Sequence, residues 1–150
     1  MAIYKLLHIL SIVIWVVGMF FAYMVLRPAA AEILQPPERL KLWDKVFSRF
    51  FRWVWLAVVL VLVSGLFMIM VFGGMASVPP YIHVMLLLGI VMASIFAYVY
   101  FSCYRKLSRM VAAQDWPQGG AVLAQIRKLV AVNLGIGLLT IAVAILGKMP

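Results

Sequence analysis

Four long apolar runs divide the chain, at about residues 4–26, 53–72, 82–101 and 129–147. Each run approaches the roughly 20 residues that a helix needs to cross the hydrocarbon core of a bilayer. Lipid offers no hydrogen-bond partners to the backbone, so such runs form helices, and the short alternating segments typical of a membrane barrel are missing. The pattern predicts an all-α fold, an integral membrane four-helix bundle with up-down topology, in which residues 1–150 form a single four-span domain.

The segments between the runs also follow helical periodicity. PPERLKLWDKVFSRFFRW begins with prolines suited to a helix N-terminus and then places apolar residues at helical spacing, namely Leu40, Trp43, Phe47 and Phe50. It predicts an interfacial amphipathic helix before span two. Span three is expected to continue through YRKLSRMVAAQ until DWP ends it, which predicts a tight helical hairpin leading into span four.

Composition agrees with a membrane protein, since 67% of the residues are hydrophobic and 11% are charged. Eleven of the 13 Lys and Arg residues lie between spans one and two or between spans three and four. The positive-inside rule then places both termini and the loop VFGGMASVPPY outside. In a bacterium this predicts a multi-pass protein of the inner membrane with periplasmic termini. Because the cations flank apolar spans, the net charge of +9 indicates contact with membrane lipids and no nucleic acid.

The two histidines of the chain, His8 and His83, both lie near the predicted outer ends of their helices. Spans one and three run in the same direction, so the imidazoles are expected within about 5 Å of one another along the membrane normal, at ~1.5 Å per residue. Burying an unpaired polar group costs roughly 1–3 kcal/mol, so His8, the deeper of the two, needs a partner. Two nitrogen ligands at one level of a bundle can hold a metal centre, although interfacial or purely structural histidines remain an alternative.

Helical phase separates two candidate ligands in span three. Met85 follows His83 by two residues and so points about 200° away around the helix, which allows only one of them to face His8. The two faces continue at helical spacing, through Leu87, Ile90, Ser94 and Ala97 beyond His83 and through Gly89, Met92 and Phe96 beyond Met85. The sequence leaves open which face is the inner one.

Haem b is one centre that these residues could hold. His8 would be an axial ligand, with His83 the preferred second ligand and Met85 the other candidate. Lys5 and Lys148 could meet the propionates at the outer rim, and Trp15 lies on nearly the same face as His8. Asn133 in span four could bond the ligand or, like Ser64 and Ser94, a neighbouring helix. Small residues could leave space for the ring: Gly18, Gly65, Gly89 and Gly135.

Copper is the alternative centre, because copper(I) accepts imidazole and soft thioether ligands. His8 and His83 would be joined by methionines toward the outer side, namely Met68, Met70, Met75 and Met85. Zinc-dependent hydrolysis fits poorly, since the spans contain no carboxylate to act as a general base.

The motif Y-K-x-x-H-I-x-x-I-V-x-W-x-x-G-x-F, followed later by Y-I-H-x-x-L, resembles the membrane domain of the copper resistance protein D (CopD) family and its relative, the HemJ-type protoporphyrinogen oxidase. The HemJ resemblance implies that His8 is a haem b ligand and aligns a W-L-H-x-K-L motif with Tyr81 to Leu86. The lysine of that motif falls on Met85, which argues against porphyrinogen oxidation. The CopD resemblance implies copper uptake or resistance, and the tail RKLVAVNLGIGLLTIAVAILG is more similar to that branch.

Three hypotheses follow. The first is a small haem b protein that performs electron transfer or oxidation near the periplasmic face with an electron-transfer partner, which would make it a haem-dependent oxidoreductase. The second is a copper-handling protein that uses the same His and Met residues and exchanges copper with a periplasmic copper protein. The third is a structural or accessory subunit without metal. A homo-oligomer formed through the glycine-bearing faces is compatible with each of them.

Overall fold

Four helices account for nearly all of the computed structural model, which describes residues 1–148. They are α1 (Ala2–Ile33), α2 (Pro36–Val71), α3 (Pro80–Ala112) and α4 (Trp116–Leu146), and each is long and apolar enough to cross a membrane. The expected all-α fold with four membrane-spanning helices is confirmed. At 1.5 Å per residue, the 36 residues of α2 reach about 54 Å, well beyond the ~30 Å of hydrocarbon. All four helices extend past the predicted spans at the end of the bundle that carries most of the cations.

The segment before span two is helical, as predicted, and leads directly into the span. It is the first half of α2, which runs without interruption from Pro36 to Val71. No proline follows Pro37 in this stretch, so nothing ends the helix between the amphipathic segment and the span. Its apolar face is buried inside the protein, with Leu40, Trp43 and Phe47 all nearly inaccessible. The amphipathic pattern therefore reflects packing within the bundle.

Three stretches inside the helices have the wider π-helical turn: Val13–Val17 and Ala22–Leu26 in α1, and Val99–Tyr104 in α3. The second of these comes directly before Pro28, which has no N–H to donate and whose ring crowds the preceding turn. A widened turn accommodates that residue, so α1 continues past the predicted end of span one to Ile33. Each wide turn also shifts the helical phase of the residues that follow it.

Short connections join the helices. Gly73 and Gly74 have φ of +98° and +88°, a region that glycine adopts without strain, and they begin the turn from α2 to α3. The other end of α3 reaches Ala112, as the sequence predicts, and Asp115 caps α4 by accepting a hydrogen bond from the Gln118 N–H at 3.2 Å. The predicted α3–α4 hairpin is thus present.

Aromatic side chains dominate the core in the cation-rich half of the bundle. Phe51 lies at the centre, stacked on Phe47 with ring centroids 4.9 Å apart and edge-on to Phe96 at 5.3 Å and Tyr104 at 5.4 Å. Leu107 and Ile126 beside this cluster are fully buried. The other half contains fewer aromatic contacts. One of them is the stack of Tyr4 of α1 on Phe67 of α2, with ring centroids 3.9 Å apart. Most of the buried core therefore lies in the aromatic half.

A candidate metal site at the His8 end

His8 lies against α2, where its Nδ1 is 3.1 Å from the hydroxyl oxygen of Ser64. Ser64 is buried, and its hydroxyl donates to the carbonyl of Leu60 one turn earlier. Because the Ser64 proton is used in that bond, we assign the proton of the His8–Ser64 bond to Nδ1 of His8. In this tautomer the lone pair of the imidazole lies on Nε2, as a metal-ligating histidine requires.

Gly65 allows the His8 ring to pack closely against α2. A Cβ at position 65 would lie 3.2 Å from Cε1 of the His8 ring, so the ring occupies the space that the missing side chain leaves. A Cβ on Gly18 would meet the ring of Phe50, so the space at this glycine is filled as well. Gly89 and Gly135 have no such neighbour, and Gly135 is exposed on the outer surface of α4. The space that Gly65 leaves on α2 is therefore filled by the imidazole of His8.

The structure separates the two ligand candidates of α3. His83 is exposed, together with Leu87 and Ile90 on its face, and its Nδ1 is 3.4 Å from the carbonyl of Pro79. Met85 is half-buried and shares its face with Met92 and Phe96, which are core residues, so the Met85 face is the inner one. The imidazole preferred as second ligand therefore points away from the bundle interior, and the thioether points toward it.

The other predicted donors at this end differ in exposure. Met68 is half-buried, one turn beyond Ser64 on the same side of α2, whereas Met70 and Met75 are exposed. Lys5 and Lys148 are also exposed. Within residues 1–148 there is no cluster of three or more His, Cys, Asp and Glu side chains that could hold a metal. A site around His8 would therefore depend on sulfur ligands from methionine.

Trp15 and Asn133 lie deeper, in the aromatic core. Both line a small cavity of about 20 Å³ that His8 does not touch, and Trp15 meets Phe96 edge-on at a centroid distance of 6.2 Å. The Asn133 amide donates to the carbonyl of Met92 at 3.3 Å and so joins α4 to α3, while its buried Oδ1 has no protein partner. The structure therefore does not bring these two residues together with His8.

Ser64 makes the helix-to-helix hydrogen bond that the sequence predicts for it, and its partner is His8 of α1. This pairing is not among the sequence predictions. The signal was available, because α1 and α2 are antiparallel neighbours and the only hydroxyl in the outer half of span two is the natural partner for a histidine in the outer half of span one. Pairing polar residues by depth across adjacent spans would have found it.

A bundle of four spanning helices with a histidine and thioethers near one end defines a multi-pass membrane protein with soft metal donors, in agreement with the expected inner-membrane localisation. The family model for copper resistance protein D matches residues 44–146, more than two thirds of the chain. The chain therefore belongs to the copper resistance protein D family, which confirms that resemblance; the likeness to HemJ-type proteins stays a prediction. Neither the curated proteins nor the solved structures gave a match.

Proposed function

We propose that the protein handles copper at the membrane, taking up the ion at the His8 end of the bundle and passing it to a partner. Membership of the copper resistance protein D family points to copper handling. The observation that supports the residue assignment is the 3.1 Å contact between Nδ1 of His8 and the buried Ser64 hydroxyl, because in the assigned tautomer Nε2 would be available to an ion. Copper is the cargo in this proposal.

The remaining donors would come from methionine. Met68 of α2 and Met85 of α3 are half-buried at the same end of the bundle as His8, and thioethers are soft ligands that suit copper(I). The exposed Met70 and Met75 beside the α2–α3 turn would serve an ion that arrives or leaves. By the positive-inside rule this end faces the periplasm, where a periplasmic copper protein would be the exchange partner.

The haem b hypothesis has less support in the structure. A large flat ring needs a slot beside its axial ligand, yet the space at Gly65 is occupied by His8 and neither described cavity is lined by His8 or His83. Haem binding and electron transfer stay predictions from the sequence.

A single experiment on purified protein distinguishes a copper site from a haem b site. Protein purified in detergent is incubated with copper(I) under reducing conditions, passed through size exclusion, and analysed for bound copper and for its visible spectrum. We expect a colourless protein that retains copper. A Soret band that shifts on adding dithionite, without copper retention, would overturn the proposal in favour of haem.

Removing the Ser64 hydroxyl tests the orientation of His8. We expect Ser64→Ala to weaken copper binding by about 10- to 100-fold, the usual effect of losing the group that orients a ligating histidine. Competition with a chromophoric copper(I) chelator measures the affinity. Ser94→Ala is the matched control, since the Ser94 hydroxyl makes the same bond to the carbonyl four residues earlier but lies on an exposed face. Equal affinity in Ser64→Ala and wild type would show that Ser64 does not position the ligand.

A further inference from the structure

A second cavity lies at the opposite, cation-rich end, where α1, α2 and α4 meet. Its volume is about 270 Å³, close to the lower limit of ~300 Å³ for small-molecule sites. Small residues make the space, among them Ala31, Gly120 and Ala124. The proposed copper function uses none of its lining residues, so the cavity needs an explanation of its own.

Three arginines line this cavity, one from each helix: Arg27 of α1, Arg39 of α2 and Arg127 of α4. No carboxylate is among the residues that line it, so nothing in its wall neutralises them. Arg27 is held in place, because its Nε donates to the carbonyl of Tyr23 at 3.3 Å and its guanidinium lies 4.3 Å from the centre of the Tyr23 ring. Guanidinium groups form paired hydrogen bonds with phosphate oxygens, so this arrangement favours an anion.

The rest of the wall is apolar and largely aromatic, with Trp43, Phe47 and Trp116 as its large side chains. A small hydrophilic anion would gain nothing from these surfaces. Pro36, the first residue of α2, also lines the cavity and adds to its apolar wall. The cavity therefore combines a cationic side with an apolar side.

We infer that this cavity binds an anionic phospholipid. The headgroup phosphate would lie between Arg27, Arg39 and Arg127, and the first carbons of an acyl chain would lie along the aromatic wall. Span one is predicted to end at about residue 26, which places Arg27 at the level of the lipid headgroups. Basic pockets between membrane helices are suited to anionic headgroups. The cavity has room for a headgroup and its glycerol, while the acyl chains, apart from their first carbons, remain in the bilayer. The lipid would join three helices that otherwise present like charges to one another.

The inference is tested by adding lipid to the delipidated full-length protein in detergent. Binding is followed by native mass spectrometry and by the shift in melting temperature with phosphatidylglycerol, phosphatidylcholine or inorganic phosphate. We expect retention of phosphatidylglycerol, a rise in melting temperature with this lipid alone, and an affinity about tenfold or more lower in the triple variant R27Q/R39Q/R127Q.

Matched variants separate a defined site from general surface charge. R49Q/R52Q/R109Q removes the same number of charges at the same end from residues that do not line the cavity, and should bind lipid like wild type. Gly120→Leu keeps every charge and fills the cavity, so it should weaken binding even if the arginine variant fails to fold. Equal losses in both triple variants, no preference for phosphatidylglycerol over phosphatidylcholine, or stabilisation by inorganic phosphate as large as that by lipid would each overturn the inference.

Discussion

His8→Ala is expected to lower the copper affinity of the protein by at least about a hundredfold, since loss of the group that merely orients a histidine ligand already costs 10- to 100-fold. Of the two imidazoles, which both lie in the described residues, only that of His8 contacts a buried residue of the bundle, because His83 lies on the exposed face. Methionine thioethers alone would leave a weaker site. Copper(I) affinity measured by chelator competition gives the result.

His83→Ala is the control for this variant, because it removes the other imidazole of the chain from a position that faces outward. Its affinity should stay within about twofold of wild type, while Met85→Leu, on the inner face, should weaken binding. A larger loss in His83→Ala than in His8→Ala would make the ligand assignment wrong. His8→Ala should keep the melting temperature close to that of wild type, since a half-buried residue at the edge of the core is removed.

Phe51→Ala should greatly lower the free energy of unfolding and leave the copper site intact, whereas His8→Ala should weaken copper binding and leave the stability nearly unchanged. Phe51 is 3% exposed and contacts aromatic rings of α2 and α3. Deleting a buried phenylalanine typically costs about 3–5 kcal/mol, because the cavity left behind removes packing contacts on every side. Unfolding in mixed micelles, followed by circular dichroism, measures the loss.

Trp53→Ala is the natural comparison, two residues along the same helix and 59% exposed toward the lipid. Its side chain touches little protein, so its removal should cost less than about 1 kcal/mol. If both variants unfolded at the same denaturant concentration, the aromatic cluster would not be the stabilising core of the bundle.

The number of helices and the α3–α4 hairpin follow from the sequence, because hydrocarbon imposes a length and a secondary structure on any apolar run. The residues at which α1 ends and α2 begins do not follow from the sequence. The amphipathic stretch around Trp43 has the same period whether its apolar face meets lipid headgroups or other helices, and only the packing of α4 and α3 decides between them.

The candidate site was predictable in part. His8 stands out because a polar residue within a span needs a partner, and depth alone makes Ser64 the candidate. Whether the two side chains meet depends on the register and rotation of α1 against α2, which a single sequence does not contain. The sequence also does not decide which of His83 and Met85 faces the interior of the bundle. Hydrophobic residues are spread nearly uniformly around α3, so the pattern does not mark an inner face. Three-dimensional packing supplies that face.

The aromatic layer also determines how far an ion could travel. Between the His8 end and the arginine-lined end, Trp15, Phe51 and Phe96 surround a cavity of about 20 Å³, room for roughly one water molecule. A hydrated ion cannot pass such a constriction without displacement of these rings. Net translocation of an ion from the His8 end past this aromatic layer would therefore require the rings or the helices to move apart.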